Sequence, residues 1–300
     1  MKKRSLWGEI RKQRTNYLML AFWFVPFIAF FIVPVLTAVL LSFTDYNMLQ
    51  WPDFVGLDNY LKLFLADDLF IIALENTLVF ALLTGPIGYL LSFVIAWMIN
   101  DFGRVTRSLL TLLFYSPVLS GSLYVVWKYI FSEDSYGLMN YCLLKLGLVT
   151  GPVYWLSDVA YNSIPVTVVL IWSSMGAGFL AFVAGFQGLN KDLFEAGSLD
   201  GIRNRWQELW YITLPQMGPQ LIIGAILSIS SAFAVGYQCM ELTGFPSTDY
   251  STYTILLQIY DYANVRYEMG YASAVAVALF LLMIVVWNSI NRAIRSISGS

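Results

Sequence analysis

Any chemistry in this chain is done without histidine, which is absent from all 300 residues. That excludes imidazole acid–base catalysis and histidine-ligated metals. Two cysteines, Cys142 and Cys239, are too few for a disulfide framework. No catalytic residue and no metal site is expected. Two sets of residues remain. The first is a polar stretch at about 190–216 that contains Glu195-Ala196-Gly197, Asp200-Gly201 and Leu214-Pro215. Within it Leu199, Ile202, Trp206, Leu209 and Trp210 recur at helical spacing as one apolar face, and Asp200-Gly201 breaks the register. Two short amphipathic helices joined at a turn are expected, ended by Pro215 and Pro219. Such a segment does its work by docking: on a bilayer surface, on its own chain, or in a groove of a partner. The second set is Asn76, Tyr115, Trp127, Trp172, Tyr237 and Gln238, amides and rings set in apolar runs. They can offer ring faces and hydrogen-bonding groups, or serve only as packing.

The elements that must position both sets are membrane helices. Hydrophobic residues make up 58% of the chain and charged residues 12%, about half the roughly 25% of a soluble domain. Mean hydropathy is +0.67. These values exclude a disordered chain and argue against a soluble enzyme. The net charge of -2 gives no basic excess that would point to nucleic acid. Six runs, at about 17–43, 71–98, 109–131, 164–186, 217–240 and 270–290, are long and apolar enough to span a bilayer. The expected fold is therefore an all-α polytopic membrane protein with six transmembrane helices. The spanning domain covers 17–292, with tails at 1–16 and 293–300. The first run is too long for a signal peptide and lacks a cleavage site after it. Pro26, Pro34, Pro86 and Pro117 should bend their helices. Small residues such as Gly178, Gly224, Ser228, Gly270 and Ala274 should let helices approach closely.

Lys and Arg fix the expected orientation. Lys2, Lys3, Arg4, Arg11, Lys12, Arg14, Arg104, Arg107, Lys191, Arg203, Arg205, Arg292 and Arg295 fall on one side. Only Lys62, Lys128, Lys145 and Arg266 fall on the other. The positive-inside rule puts both termini and the 190–216 loop in the cytoplasm. Trp51, Tyr154 and Trp155 are expected as interface anchors.

The loop motif itself goes further. Glu195-Ala196-Gly197, Asp200-Gly201 and Ile212-Thr213-Leu214-Pro215 resemble the EAA loop of ABC-importer permeases, most closely the carbohydrate-uptake branch of maltose and glycerol-phosphate type. Phe54-Val55-Gly56-Leu57-Asp58-Asn59-Tyr60, Glu75-Asn76-Thr77, Gly137 to Asn140, Trp155-Leu156 and Met269-Gly270-Tyr271-Ala272-Ser273-Ala274 are similar to that family's other signatures. Two features depart from the pattern. Gly197 stands where the family usually has Ala, and there is one residue more than usual between Gly201 and Ile212. That residue should rotate the second short helix by about 100°.

The resemblance implies a bacterial-type inner-membrane permease subunit that pairs with a similar, non-identical permease. It implies two cytoplasmic ATP-binding subunits, which carry ATP and magnesium, and an outer solute-binding protein. This chain has no G-x-x-x-x-G-K-[ST] phosphate loop, in keeping with that division of labour. Glu195, Ala196, Gly197, Asp200, Gly201, Leu214 and Pro215 would then form the ATPase-coupling element. Asn76, Tyr115, Trp127, Trp172, Tyr237 and Gln238 would line a path for a sugar or oligosaccharide, whose CH faces stack on rings and whose hydroxyls need partners. An ABC permease for a non-sugar solute is the alternative. An ion-driven secondary transporter would call for an ionisable residue at mid-membrane, and the spans contain none.

Overall fold

The computed structural model describes residues 14–119 and 124–298. The amino-terminal tail expected at 1–16 therefore lies almost wholly outside the described residues. Contacts divide the chain into two compact units, Met1–Asp67 with Ile259–Leu279, and Asp68–Gln258 with Phe280–Ser300.

The first unit begins with α1 (Arg14–Phe27), a π-helical turn (Ile28–Ile32) and α2 (Val33–Leu41). Pro26 precedes the π turn and Pro34 opens α2, so the prolines sit at the change of pitch. No side chain along this run is buried by the chain, as suits a helix whose apolar surface meets lipid or another subunit. A two-residue hairpin follows, β1 (Thr44–Asp45) against β2 (Asp53–Phe54), then α3 (Asp58–Leu65).

The motif at 54–60 is a joint. Asn59 Nδ2 donates to the carbonyls of Ser42 and Thr44, both at 2.9 Å. The Tyr60 hydroxyl donates to Ser42 Oγ at 2.7 Å. The Gly270 N–H donates to the Tyr46 carbonyl at 3.0 Å, and a Cβ on Gly270 would collide with the Thr44 carbonyl oxygen. Lys62 pairs with Glu268 at 3.1 Å. Burial first, and then the Asp67 carboxylate, push the Tyr262 phenol up to about 12, so it stays a neutral donor.

The second unit is a helix bundle. Its backbone is α4 (Asp68–Asn100), which runs 33 residues through Pro86. Then come α5 (Arg104–Leu119), α6 (Tyr124–Ile130), α7 (Leu138–Lys145), α8 (Ser163–Ser173) and α9 (Ala177–Gln187). The loop that follows contains α10 (Lys191–Leu199), α11 (Arg205–Glu208), a second π turn (Leu209–Thr213) and α12 (Leu214–Gln216). After it stand α13 (Gly218–Phe233), α14 (Tyr237–Thr243), α15 (Ile255–Tyr260) and the last helix, α16 (Met269–Ser298).

Helices α9 and α13 approach closely because both are glycine at the crossing. A Cβ on Gly178 would lie 3.5 Å from the Gly224 carbonyl oxygen, and Ser228 and Ala232 continue the buried stripe. Ser231 lies off that stripe. One core joins Phe93, Ala96 and Ile99 of α4, Phe179, Phe182, Val183 and Phe186 of α9, and Leu209 and Met217 from the loop.

Four helical runs are individually long and apolar enough to cross a membrane: Thr15–Leu41, Asp68–Asn100, Ser163–Gln187 and Met269–Arg292. The other two expected spans are each covered by more than one helix. The run expected at 109–131 is made by α5 and α6, and residues 120–123 between them lie outside the described residues. The run expected at 217–240 is α13, which bends 82° from the preceding loop and stops at Phe233 before α14 resumes at Tyr237. The loop at 131–157 is organised by Asn140, which is fully buried. Its Nδ2 donates to the carbonyls of Ser132, Asp134 and Val153, and its Oδ1 accepts from Val153 N–H and Trp155 Nε1–H. Trp155, expected as an interface anchor, is thus part of this hub.

Candidate functional site

The loop is built by capping. Asn190 accepts from the Asp192 N–H at 3.0 Å and starts α10. Asn204 accepts from the Gln207 N–H at 2.8 Å, and Gln207 Oε1 accepts in return from the Arg203 N–H at 2.9 Å, which starts α11. Between them α10 ends in a Schellman turn: the Ile202 N–H reaches the Gly197 carbonyl at 3.0 Å, with Gly201 at φ +96. Nothing lies within 4 Å of a Cβ placed on Gly201, so its backbone conformation, and not space, requires glycine.

Gly197 is glycine for the opposite reason. It is buried, and a Cβ there would lie 2.7 Å from Ile212 Cδ1 and 3.1 Å from Ile202 Cδ1. Two isoleucine ends fill the space that an alanine methyl would need. The segment Leu209–Thr213, which leads into Leu214-Pro215, is a π turn, and a π turn holds one residue more than an α turn.

The apolar face predicted for the loop is split. Leu209 and Ile212 are buried and tie the loop to the core, with Leu214 packed beside them. Leu199 (89% exposed), Trp206 (70%), Trp210 (67%) and Tyr211 (68%) are left exposed. Glu195, Ala196 and Asp200 are exposed as well. Trp206 packs on Trp97 at 5.1 Å between ring centroids. Arg205 lies over Trp97 and binds Asp101 at 2.6 Å. The loop is therefore clamped to the end of α4 and still presents aromatic surface.

At the other site two helices break at one place. Helix α8 ends at Ser173 and α9 begins after Gly176; α13 ends at Phe233 and α14 begins after Gly236. Both breaks border a small cavity of about 40 Å³ lined by Thr84, Leu170, Ser173, Ser174, Ser231, Ala232, Val235 and Gln238. The hydroxyls of Thr84, Ser174 and Ser231 donate back to carbonyls of their own helices, Phe80, Ile171 and Ser228. Their oxygens thus remain as acceptors. Gln238 Oε1 is buried and has no hydrogen-bond partner among the described residues. The cavity is rich in acceptors and complements a molecule that brings O–H donors. Next to it are ring pairs: Trp127 with Trp172 at 5.4 Å and Tyr124 with Tyr237 at 5.7 Å.

Of the six predicted path residues, Gln238 lines this cavity, and Trp127, Trp172 and Tyr237 belong to the ring pairs beside it. Asn76 does not belong there. Its Nδ2 donates to the carbonyls of Tyr250 and Tyr253, both at 2.9 Å, while Thr77 Oγ1 accepts from the Ile255 N–H at 3.0 Å. Thr254 in turn donates to the Val235 carbonyl at 2.6 Å. Asn76 thus steadies the segment that holds the second break. Tyr115 lies apart too, in a groove between α5 and α9. Thr84, Ser173, Ser174 and Ser231 were missed because small hydroxyl residues in apolar helices read as packing. The run Ser173-Ser174-Met175-Gly176 was the available signal of a break.

Backbone breaks within apolar helices are tolerated where they line a cavity, and the chain combines such breaks with helices long and apolar enough to cross a membrane, the build of a membrane transport subunit. It belongs to the family described as binding-protein-dependent transport system inner membrane component, which matches residues 88–296. It is similar to the arabinooligosaccharides transport system permease protein AraP of Bacillus subtilis, with 28% identity over 292 residues, 95% of this chain and 90% of that one. It is also similar to the multiple sugar-binding transport system permease protein MsmF of Streptococcus mutans, with 29% identity over 288 residues, 92% of this chain and 95% of that one. Its fold is shared with a chain of a bacterial ABC transporter that imports the acidic polysaccharide alginate, with TM-score 0.78 and 24% identity over 97% of this chain and 99% of that one. A second alginate transporter structure, in complex with a pentasaccharide-bound periplasmic protein, gives TM-score 0.80 and 23% identity over 99% of each chain.

Proposed function

We propose that this chain forms half of the translocation path for a sugar or oligosaccharide in an ATP-driven importer. An outer solute-binding protein delivers the solute, a second, non-identical permease completes the path, and two cytoplasmic ATP-binding subunits supply ATP and magnesium chemistry. The loop at 190–216 faces the cytoplasm together with both termini, in line with the Lys and Arg distribution. The observation that carries this reading is the split loop face: Leu209 and Ile212 are sunk in the core while Leu199, Trp206, Trp210 and Tyr211 are left uncovered. The exposed half fits a cleft in an ATPase subunit, with Glu195 beside it for a polar contact. The buried half links that subunit to α4 and α9 through Phe93, Phe182 and Phe186. Closure of the ATPase pair would then move α9 as a rigid body, and α9 starts at the first helix break.

The solute would meet the acceptor-rich cavity at Gln238 and the rings of Trp127, Trp172, Tyr124 and Tyr237. Saccharide names among the relatives support this class. A relative named for uptake of osmoprotective compounds, 27% identical over 266 residues, supports a second reading with a smaller solute. The test is uptake by the assembled complex in proteoliposomes with its binding protein. Labelled mono-, di- and oligosaccharides are offered with ATP or with a non-hydrolysable analogue. ATP-dependent accumulation of a saccharide is expected. Accumulation that persists without hydrolysis but follows an imposed proton or sodium gradient would overturn the reading.

A further inference from the structure

The groove that contains Tyr115 is unlike the rest of the bundle. It has a volume of about 460 Å³ and is lined by Arg104, Arg107, Ser108, Thr111, Leu112 and Tyr115 of α5, with Val183 and Gln187 of α9. The α5 residues stand at i, i+3, i+4, i+7, i+8 and i+11, one helical face. Among the described residues, two guanidinium groups line it and no carboxylate does. Asp101 is already bound to Arg205 at 2.6 Å. Arg107 makes two long contacts, both 3.4 Å, to the carbonyl and Oδ1 of Asn100, which orient it and leave most of its five N–H donors unused. Ser108 and Thr111 donate back to the carbonyls of Arg104 and Arg107, so the charged donors of the groove are the two arginines. Among the described residues, the larger apolar cavity between α4, α13 and α16, about 760 Å³, has no charged residue in its lining, and the cavity at Gln238 has none either.

We propose that this groove binds the phosphodiester headgroup of an anionic membrane lipid, with Arg104 and Arg107 on the phosphate and the apolar side chains of Leu112 and Val183 against the glycerol and upper acyl carbons. A neutral saccharide gives two unneutralised guanidiniums nothing to do, whereas a phosphate satisfies them in bidentate fashion. Basic pockets between membrane helices on the cytoplasmic side are suited to such headgroups. By the orientation proposed above, this groove opens on that side. The site rests on the chain being a membrane-spanning subunit, but not on which solute it carries. Bound lipid would brace α5 against α9, the helix that leaves for the coupling loop.

The test uses the whole complex purified in mild detergent, with its lipid content read by native mass spectrometry. Thermal stabilisation is then measured with added short-chain phosphatidylglycerol, short-chain phosphatidylcholine, or inorganic phosphate alone. The variants are Arg104→Gln with Arg107→Gln, and Arg104→Lys with Arg107→Lys. Phosphatidylglycerol should be retained and should stabilise the wild type, while phosphatidylcholine should not. A basic residue near an anionic surface contributes roughly a fivefold factor in binding, so loss of both should weaken retention about 25-fold. The lysine pair should retain most of the binding. Equal retention by wild type and the glutamine variant, or equal stabilisation by the two lipids, overturns the proposal. Stabilisation by inorganic phosphate alone as large as that by phosphatidylglycerol overturns the lipid assignment in favour of a soluble anion. Unchanged lipid retention with impaired solute uptake in the glutamine variant overturns it in favour of a solute-path role. The lipid readout does not depend on transport, so it can fail while the transport reading stands.

Discussion

Leu209 and Trp210 are neighbours in one π turn, and the split loop face predicts opposite outcomes for them. Leu209 is 6% exposed and packs in the core with Phe93, Phe182 and Met217, whereas Trp210 is 67% exposed. Leu209→Ala removes buried methyl groups and leaves a cavity, at a cost of about 2–5 kcal/mol. Taking about 3 kcal/mol, and roughly 2–4 °C per kcal/mol for a chain of this order of size, the thermal midpoint should fall by roughly 6–12 °C. Trp210→Ala removes an exposed ring and should shift stability by no more than about 0.5 kcal/mol. As a buried aromatic anchor in the assembled importer, however, its loss should weaken ATPase binding by about 2 kcal/mol or more, roughly 30-fold. The assays are thermal unfolding of the isolated subunit in detergent and titration with the ATP-binding subunit. The reasoning is refuted if Trp210→Ala lowers the midpoint as much as Leu209→Ala while ATPase affinity stays unchanged.

Other outcomes follow from the same geometry. Gly201→Ala should cost about 1–2 kcal/mol through its left-handed backbone, with Gly201→Asn milder. ATPase activity stimulated by the binding protein should fall in the order Gly, Asn, Ala. Asn140→Leu leaves Val153 N–H and Trp155 Nε1–H without their acceptor, about 1–3 kcal/mol for each buried donor. Limited proteolysis should then cut within 132–157 at a rate the wild type does not show. Gln238→Leu removes an acceptor that has no internal partner. Stability should therefore hold or rise slightly, while the half-saturating solute concentration for uptake rises about fivefold to tenfold, one neutral hydrogen bond's worth. A loss of stability with unchanged uptake would count against the Gln238 cavity as solute lining.

The sequence made the bundle legible because apolar runs of spanning length need no partner information to be recognised. The interruptions were harder. Ser173-Ser174-Met175-Gly176 and Ala234-Val235-Gly236 sit inside apolar runs, and nothing local distinguishes a small residue that packs from one that ends a helix. Gly178 and Gly176 lie two residues apart and do these two different things. Gly201 could be read at once, since a glycine after a polar turn implies a positive φ. Gly197 could not, because its reason is the reach of Ile202 and Ile212 from elsewhere in the loop. The π turn at Leu209–Thr213 could not be read either, since Leu-Trp-Tyr-Ile-Thr carries no local mark that separates a π turn from an α turn. Asn76 and Tyr115 were grouped with Gln238 by residue type and depth. Only tertiary contacts separate a clamp on Tyr250 and Tyr253, a basic groove, and an unpaired acceptor beside a helix break.

The central claim is that this chain is driven by a separate ATPase through the loop at 190–216. An affinity pull-down from detergent extract of the native membrane tests it most directly, with the wild type compared against Glu195→Lys combined with Gly201→Pro. The account predicts that the wild type brings down an ATP-binding subunit and a second permease, and that the variant keeps the permease and loses the ATPase. Recovery of the chain without an ATPase from intact wild-type extract, or an ATPase retained equally by the variant, would contradict it.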